Sequence, residues 1–366
     1  MPLQLLRMID ANLNRLGEGL RVLEDVARFL LGDAVLSRRL KALRHDTARD
    51  TALLRMGLLS ERDSEHDVGH SQAASVTSGG SPPDTLTTPL QNLSELVTAN
   101  AKRAEQSLRV IEELARLPDL SKTLDSASFE QARFTLYALE RELISRISRR
   151  EKLESMAGLY VIVDRQFLAG RDELDIVEQA IEGGATTIQL RDKERTKREL
   201  LPVAQRLRAL CNQAGVLFIV NDHLDLAIAA DADGLHIGQG DLPVAVVRRA
   251  LPIDRIVGCS VNTLAQAEIA RNEGADYIAL GSIFPTTTKT GAVVVGLDRL
   301  KELRQKVAIP LVAIGGINPD NVGEVRTAGA DAIAVVSAVI GPDDVKGAVQ
   351  KLIAAMESTT QKCQNT

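Results

Sequence analysis

Three polar residues at alternate positions follow one short apolar run of the chain. Gln189, Arg191 and Lys193 come at the end of the run 186–190. Alternate side chains of an extended chain point to the same side, so two cations and an amide would face one space. Such a set suits a polyphosphate group. A charged strand end in contact with water is the alternative interpretation.

Two carboxylates follow the next two apolar runs. Asn221 and Asp222 come directly after the run 217–220, and Asp241 comes shortly after the run 234–237. Carboxylates near a basic cluster predict a site for a hard cation, most of all Mg²⁺, that bridges to phosphate oxygens. Either aspartate could instead cap the helix that follows it.

Hydroxyl groups, glycines and a lysine follow the later runs. Ser260 ends the fifth run and could donate to a phosphate or cap the next helix. Thr286, Thr288 and Lys289 follow the sixth run and suit a lid over an anion, with an ordinary polar loop as the alternative. Glycine lets backbone N–H groups approach an anion, and the seventh and eighth loops of a barrel commonly bind phosphate. The candidates in those two loops are Gly316, Val336 and Ser337.

No covalent nucleophile accompanies these groups in a recognisable motif. His236 lies between Leu235 and Ile237, so we favour a hydrogen-bonded structural role for it, and His223 could orient Asp222. Two anion sites and a cation site without a nucleophile favour transfer of a group away from a pyrophosphate leaving group. Electrostatic stabilisation would then supply most of the catalysis.

These residues need a scaffold that gathers strand ends at one rim. From residue 158 onward, short apolar runs alternate with amphipathic helical segments. Eight such repeats predict a (β/α)8 TIM barrel, whose active site lies where the strands end, and a doubly wound sheet is the second choice. The predicted strands are 159–163, 186–190, 217–220, 234–237, 256–260, 277–284, 311–314 and 332–336.

The first part of the chain is helical and contains an internal repeat. Apolar residues recur at steps of three and four between Ile9 and Leu30. Residues 20–24, LRVLE, return as residues 108–112, LRVIE. We therefore expect an all-α domain of two helical hairpins over residues 1–150, with a long loop at about 60–92 between them. The barrel domain is expected over residues 151–366.

Composition excludes several kinds of protein. The 366 residues carry a net charge of −5 and only 2% aromatic residues, which excludes a protein that coats nucleic acid by charge or by stacking. No apolar run is long enough for a membrane span, and the three cysteines match neither a disulfide framework nor a zinc site. We expect a soluble protein of the reducing cytoplasm that acts on small molecules. Neither nucleic acid nor a membrane is an expected partner, and a homo-oligomer is left open.

Taken together, the motifs resemble those of thiamine phosphate synthases. The resemblance covers about residues 157–350, and its seven motifs occur in the family's order, each at a strand end. Each motif is weak alone, whereas the set is specific. The motifs are Gln189-x-Arg191-x-Lys193, Asn221-Asp222, His236-Ile237-Gly238-Gln239-x-Asp241, Gly258-x-Ser260, Pro285-Thr286-x-Thr288-Lys289, Gly315-Gly316-Ile317 and Val336-Ser337.

The resemblance implies a magnesium-dependent transferase of thiamine biosynthesis. Such an enzyme joins hydroxymethylpyrimidine diphosphate to a thiazole phosphate, and pyrophosphate leaves before the thiazole nitrogen attacks a pyrimidine-stabilised carbocation. The implied ligands of the pyrimidine diphosphate are Gln189, Arg191, Lys193, Asn221, Ser260 and Lys289. The implied catalytic residues are Arg191, Lys193, Ser260 and Lys289. The implied Mg²⁺ ligands are Asp222 and Asp241, and those of the thiazole phosphate are Thr286, Thr288, Gly316, Val336 and Ser337.

The helical part resembles an extension of some bacterial members, for which a hydroxymethylpyrimidine phosphate kinase role has been suggested. A scaffold or an oligomerisation element is the alternative. The repeated polar residues that could form a site are Asn12/Asn100, Arg15/Arg103, Arg21/Arg109 and Glu24/Glu112. For the barrel, the alternatives are a thiazole tautomerase, which would not need the Gln189, Arg191 and Lys193 cluster, and a non-catalytic sensor of thiamine precursors.

Overall fold

The computed structural model describes residues 3–51, 54, 92–288, 291 and 293–364. The chain divides into two compact units, Met1–Ser148 and Arg149–Thr366. Apart from residue 92, the predicted loop at about 60–92 lies outside the described residues. Within the described ranges, none of the helices is long and apolar enough to cross a membrane.

The regular structure in the described residues of the first unit is entirely helical. Its helices are α1 (Leu3–Asp25), which continues into a π-helical turn (Val26–Leu30), α2 (Ala34–Asp50), α3 (Leu93–Ala115) and α4 (Ser126–Met156). The boundary between the two units falls within α4. Apolar side chains at helical spacing bury one face of α1 against α3. The predicted all-α region with an internal repeat is confirmed.

Caps and one glycine define how these helices begin and pack. The side chain of Asp33 accepts hydrogen bonds from the N–H groups of Val35 and Leu36 at the start of α2. Gly19 lets α1 approach α3 closely, because a Cβ at this position would lie 2.9 Å from the carbonyl oxygen of Asn100. A larger residue would push the two helices apart.

One carboxylate of the repeat is completely buried. Glu112 of α3 has no exposed surface and is bound by three guanidinium groups. These are Arg109 at 2.9 Å, Arg116 at 2.7 Å and Arg133 at 3.1 Å. The equivalent residue of the first copy, Glu24, is bound by Arg44 of α2 at 2.9 Å. Each copy of the repeat therefore joins its two helices by an ion pair at the same place.

The second unit is a closed parallel barrel whose strands pair in sequence order, with β8 pairing back to β1. The strands are β1 (Gly158–Asp164), β2 (Thr187–Arg191), β3 (Leu217–Asn221), β4 (Gly234–Ile237), β5 (Ile256–Val261), β6 (Tyr277–Leu280), β7 (Leu311–Ile314) and β8 (Ala332–Val335). The helices are α5 (Glu173–Gly183), α6 (Lys197–Ala214), α7 (Leu224–Ala229), α8 (Val244–Ala250), α9 (Leu264–Glu273), α10 (Gly296–Lys306), α11 (Val322–Thr327), α12 (Ser337–Ile340) and α13 (Val345–Gln364). The predicted (β/α)8 barrel is confirmed, and its closure excludes the doubly wound sheet.

The sixth predicted strand, 277–284, is too long. β6 ends at Leu280, because Gly281 passes so close to β7 that a Cβ there would overlap the carbonyl group of Ile314. The next residues leave the β6 ladder, and the N–H of Phe284 donates to the carbonyl of Gly315 at 3.0 Å. The loop after β6 is thereby attached to the loop after β7.

Strand side chains alternate between two apolar cores. Outward-facing residues such as Val161 and Ile188 pack beneath the helices. Inward-facing residues such as Tyr160, Ile219 and Tyr277 fill the barrel. Because both faces of every strand are covered, the strands read as nearly continuous apolar runs. The carboxyl ends of all eight strands meet at one rim.

Three aspartates brace the opposite rim, where the strands begin. Each directly precedes a strand, accepts the backbone N–H of the preceding strand, and pairs with an arginine of a helix. The aspartates are Asp233, Asp276 and Asp331. The backbone N–H donors are Phe218, Val257 and Leu311, and the arginines are Arg208, Arg248 and Arg304.

We expect Glu112→Ala to destabilise the first unit by about 3 kcal/mol, because it leaves the mostly buried Arg133 without its carboxylate. Glu113→Ala removes only the partly exposed ion pairs of Glu113 with Arg109 and Arg116, so it should cost less than about 1 kcal/mol. Native-state hydrogen exchange of the α3 and α4 amides, measured at increasing urea concentrations, gives the free energy of unfolding of the first unit in each variant. Equal losses of stability would contradict this account of Glu112.

Candidate active site

The polar residues of β2 are each engaged by a neighbouring group. Arg191 ends the strand and forms an ion pair with Asp164, its register partner on β1. Beyond the strand, the ammonium group of Lys193 lies 3.4 Å from a carboxylate oxygen of Asp222. Deeper in the barrel, the buried amide of Gln189 donates a hydrogen bond to the Tyr160 hydroxyl at 2.8 Å. The three predicted residues are therefore arranged from the barrel interior to its mouth.

Asp222 and Asp241 lie side by side at the ends of β3 and β4. Their carboxyl groups are close enough to affect each other's charge, and Asp241 also accepts the N–H of Gly238 at 2.7 Å. Burial raises the pKa of Asp222, and the neighbouring Asp241 raises it further, whereas Lys193 lowers it. A cation between the two carboxylates would therefore favour the ionised form of Asp222.

The backbone directs Asp222 toward this partner. Its φ of 61° lies in the left-handed region, which is uncommon for a residue other than glycine. The N–H of Asp222 donates to the carbonyl of His236 on β4 at 2.8 Å, which stabilises this conformation. Helices α7 and α8 begin at other N-cap residues, His223 and Pro243. The alternative in which the two aspartates serve as helix caps is therefore wrong.

The carboxylate pair fits a divalent cation that a ligand helps to bind. Mg²⁺ is commonly held by one or two carboxylates, with water and phosphate oxygens completing its coordination. Among the residues that the structure describes, no group of three or more His, Cys, Asp or Glu side chains could hold a metal. A phosphorylated ligand and water would therefore supply the remaining oxygens.

A chain of hydrogen bonds crosses the barrel interior from Gln189 to Ser260. The Tyr160 hydroxyl lies 3.2 Å from that of Tyr277, which in turn lies 3.1 Å from Nδ1 of His236. Nε2 of His236 lies 2.9 Å from Oγ of Ser260. Burial raises the pKa of both tyrosines far above the usual value, so their hydroxyl groups stay protonated. Two predicted ligand residues are thus oriented through one buried network.

Gly258 makes room for the central ring of this network. Gly258 on β5 and Tyr277 on β6 are register partners, and a Cβ at position 258 would overlap the tyrosine ring. The glycine of the Gly258-x-Ser260 motif is therefore a packing requirement. Asn221, another predicted ligand residue, ends β3 in register with His236 and so lies beside the same network.

The hydroxyl groups predicted to bind the second phosphate converge between the last loops. Oγ1 of Thr288 lies 3.4 Å from Oγ of Ser337, and Thr286 accepts the N–H of Thr288 at 3.2 Å. Gly316 has a φ of 67°, and a Cβ there would overlap the backbone of the loop after β6. Val336 is the N-cap residue of the short helix α12, which Ser337 begins. Lys289 lies outside the described residues.

Sequence reasoning missed three residues that hold the candidate site together, namely Tyr160, Asp164 and Tyr277. Asp164 carried a usable signal, because it is a carboxylate directly after the first apolar run. The tyrosines are weaker cases, since an aromatic residue inside an apolar run ordinarily indicates core packing.

The fold defines the class of protein: a (β/α)8-barrel enzyme that acts on small molecules, with its candidate site at the carboxyl ends of the strands. The family model described as thiamine monophosphate synthase matches residues 159–339, and that of the ThiD2 family matches residues 7–142. The thiamine-phosphate synthase of Thermosynechococcus vestitus is 38% identical over 353 residues, which cover 96% of this chain and 94% of the relative. The chain belongs to the thiamine-phosphate synthase family and is a transferase.

Two shorter relatives match the barrel unit. The thiamine-phosphate synthase of Moorella thermoacetica is 49% identical over 195 residues, covering 53% of this chain and 93% of the relative. The solved structure of thiamine phosphate pyrophosphorylase from Pyrococcus furiosus is 42% identical with a TM-score of 0.53, covering 57% of this chain and 98% of that one. The resemblance seen in the sequence motifs is confirmed at the level of the family.

We expect Gly258→Ala to destabilise the barrel by about 1–3 kcal/mol, because the added methyl group must displace the Tyr277 ring from a closed interior. Gly240→Ala is the matched control, since open space surrounds that glycine and the change should be nearly neutral. Thermal unfolding of the two variants measures the difference. A Gly258→Ala protein as stable as the control would contradict this packing role.

Proposed function

We propose that the barrel joins hydroxymethylpyrimidine diphosphate to a thiazole phosphate, giving thiamine phosphate and pyrophosphate. The decisive observation is that Lys193 contacts Asp222, which lies beside Asp241, at the rim of a barrel of this family. An ammonium group binds a diphosphate directly, and a carboxylate pair binds it through a divalent cation. The two kinds of contact here converge on one position.

The diphosphate of the pyrimidine substrate lies above β2, β3 and β5 in this proposal. Arg191, whose guanidinium group is held by Asp164, offers paired N–H donors in one plane, and Lys193 offers a compact charge. Ser260 and Gln189 donate from positions that the buried network holds. The complete proposed set is Gln189, Arg191, Lys193, Asn221, Ser260 and Lys289.

Asp222 and Asp241 are the proposed Mg²⁺ ligands. When bound, the ion neutralises charge on the diphosphate and on the departing pyrophosphate. The left-handed backbone of Asp222 and the N–H of Gly238 on Asp241 keep the two carboxylates together before any ligand arrives. This preorganisation lowers the cost of assembling the site.

The thiazole phosphate occupies the space between the sixth, seventh and eighth loops. Hydroxyl groups of Thr288 and Ser337, 3.4 Å apart, can both donate to one phosphate. Gly316 has a left-handed backbone and no side chain, so its backbone lies close to the loop that carries Thr286 and Thr288. The complete proposed set is Thr286, Thr288, Gly316, Val336 and Ser337.

The proposed reaction is a dissociative transfer. The bond between the pyrimidine methylene carbon and the diphosphate oxygen breaks, and its electron pair leaves with pyrophosphate. The thiazole ring nitrogen then uses its lone pair to form the new carbon–nitrogen bond. Arg191, Lys193 and Lys289 stabilise the negative charge that grows on the leaving group, and Ser260 donates to it. The inward-facing apolar residues keep water from the pyrimidine-stabilised carbocation that this step leaves behind.

Two features weigh against the alternative functions. A tautomerase on this barrel would favour a histidine base, but both ring nitrogens of the buried His236 are engaged by Tyr277 and Ser260. A non-catalytic sensor would not need a carboxylate pair oriented by a left-handed backbone. The retained β2 cluster and this carboxylate pair support the synthase.

For the helical unit, we keep a hydroxymethylpyrimidine phosphate kinase and a scaffold as the two hypotheses. Consumption of ATP in the presence of hydroxymethylpyrimidine phosphate separates them. We also propose the reducing cytoplasm as the compartment, because Cys211 and Cys259 are buried free thiols.

Lys193→Ala should lower the rate of thiamine phosphate formation by about 100-fold, because one fixed cation is lost from the leaving-group site. Lys197→Ala is the control, since that exposed lysine pairs with Asp225 at 2.8 Å and has no proposed part in the site. The assay mixes both substrates with Mg²⁺ and quantifies thiamine phosphate. An undiminished rate in Lys193→Ala would remove this lysine from the leaving-group site, and no product from the unmodified protein would sink the synthase.

Asp222→Asn should raise the Mg²⁺ concentration needed for half-maximal activity by about tenfold or more, because a charged oxygen ligand becomes a neutral amide. EDTA should abolish activity in the unmodified enzyme. Asp225→Asn, three positions further on, provides a control that should keep the normal Mg²⁺ requirement. An unchanged Mg²⁺ titration in Asp222→Asn would remove this residue from the metal site.

A further inference from the structure

The helical unit contains two cavities at equivalent places of its repeat. The first, of about 360 Å³, lies where the π-helical turn after α1 meets α2. The second, of about 550 Å³, lies where α3 meets α4. Arg28 lines the first and Arg116 the second, and these arginines occupy the same position in the two copies. The duplicated sequence thus produces a cavity at the turn of each hairpin.

The first cavity carries an excess of positive charge. It is lined by Arg28, Arg38 and Lys41, and no described carboxylate forms an ion pair with any of these three cations. The one acidic residue of the lining, Glu24, is already bound by Arg44, which stands outside the lining. Three cations therefore converge on this cavity without a compensating charge from the described residues.

A second acidic residue near this cavity is also compensated from elsewhere. Asp33 caps α2 and forms an ion pair with Arg146 of α4. Arg28 stands in the π-helical turn, a departure from regular helix that frequently marks functional sites. Its guanidinium group lies 4.7 Å from the centre of the Phe29 ring, a contact that does not neutralise its charge.

We propose that the first cavity binds the phosphate group of a small phosphorylated molecule. Cations that face one space without counterions repel one another, and a dianionic phosphate relieves this repulsion and accepts several charge-assisted hydrogen bonds. Ser37 adds a hydroxyl donor to the lining. The volume is at the lower end of the range for small-molecule sites, which favours a compact metabolite. This proposal is independent of the barrel reaction.

The second cavity supplies a control within the same chain. Its arginine, Arg116, is held by Glu112 at 2.7 Å and by Glu113 at 3.4 Å. Asp125 adds a further carboxylate to the lining, so Lys122 is the one lining cation without a described carboxylate partner. Although the second cavity is larger, it should bind phosphate more weakly than the first.

The test is hydrogen exchange of the full chain, read by mass spectrometry in inorganic phosphate and in sodium chloride of equal ionic strength. At a phosphate concentration of ten times the dissociation constant, only about one tenth of the sites are free. Peptides that cover residues 26–41 should therefore exchange their amide hydrogens about tenfold more slowly than in chloride. Peptides that cover residues 116–126 should change much less. Because the readout is local, phosphate bound in the barrel does not interfere.

Variants make the assignment specific. Arg38→Gln and Lys41→Gln alter exposed side chains, and each should abolish most of the protection at residues 26–41. Lys122→Gln in the second cavity and Lys193→Ala in the barrel should leave that protection intact. Equal protection in chloride, protection that survives both Arg38→Gln and Lys41→Gln, or a response confined to residues 116–126 would each overturn the proposal.

Discussion

Closure of eight strands into a barrel requires inward-pointing polar side chains to find their hydrogen-bond partners mainly among one another, and the hydroxyl of Thr187 finds none among the described residues. Gln189, Tyr160, Tyr277, His236 and Ser260 meet this requirement as one continuous set, which no single member could satisfy alone. The set also couples positions that are far apart in sequence. Packing and chemistry are therefore not separable here. Gly258 makes room for the Tyr277 ring, Tyr277 is hydrogen-bonded to His236, and His236 is hydrogen-bonded to Ser260.

The helical unit forms the same kind of glutamate–arginine ion pair in both copies of its repeat. Each copy carries a glutamate, the partly buried Glu24 or the fully buried Glu112, and pairs it with an arginine from the following helix. In the second copy Arg116 also binds the glutamate, whereas its equivalent in the first copy, Arg28, forms no ion pair with a described carboxylate. Duplication therefore preserved the structural ion pair and let the neighbouring arginine take a different environment in each copy.

Alternating apolar runs and helical segments, with polar clusters after the strands, were sufficient to predict the barrel, because buried parallel strands and amphipathic helices leave strong patterns. Recurring motifs were sufficient to predict the helical repeat. The sixth strand was predicted too long, since the approach of Gly281 to Ile314 depends on a neighbour that is distant in sequence. The candidate cluster of Lys193, Asp222 and Asp241 followed from strand ends. Asp164 and the two tyrosines did not, because their roles exist only once strands are side by side. The two cavities likewise required three-dimensional packing of the helices.

The three aspartates at the start of β4, β6 and β8 divide the barrel into two ends with different tasks. Each ties two adjacent strands and a helix together on the side away from the candidate site. Loops at the other rim can consequently lengthen, shorten or exchange residues while the base keeps the strands in register. A lineage built on this base could acquire new substrates by changing loops alone, without first having to regain a stable fold.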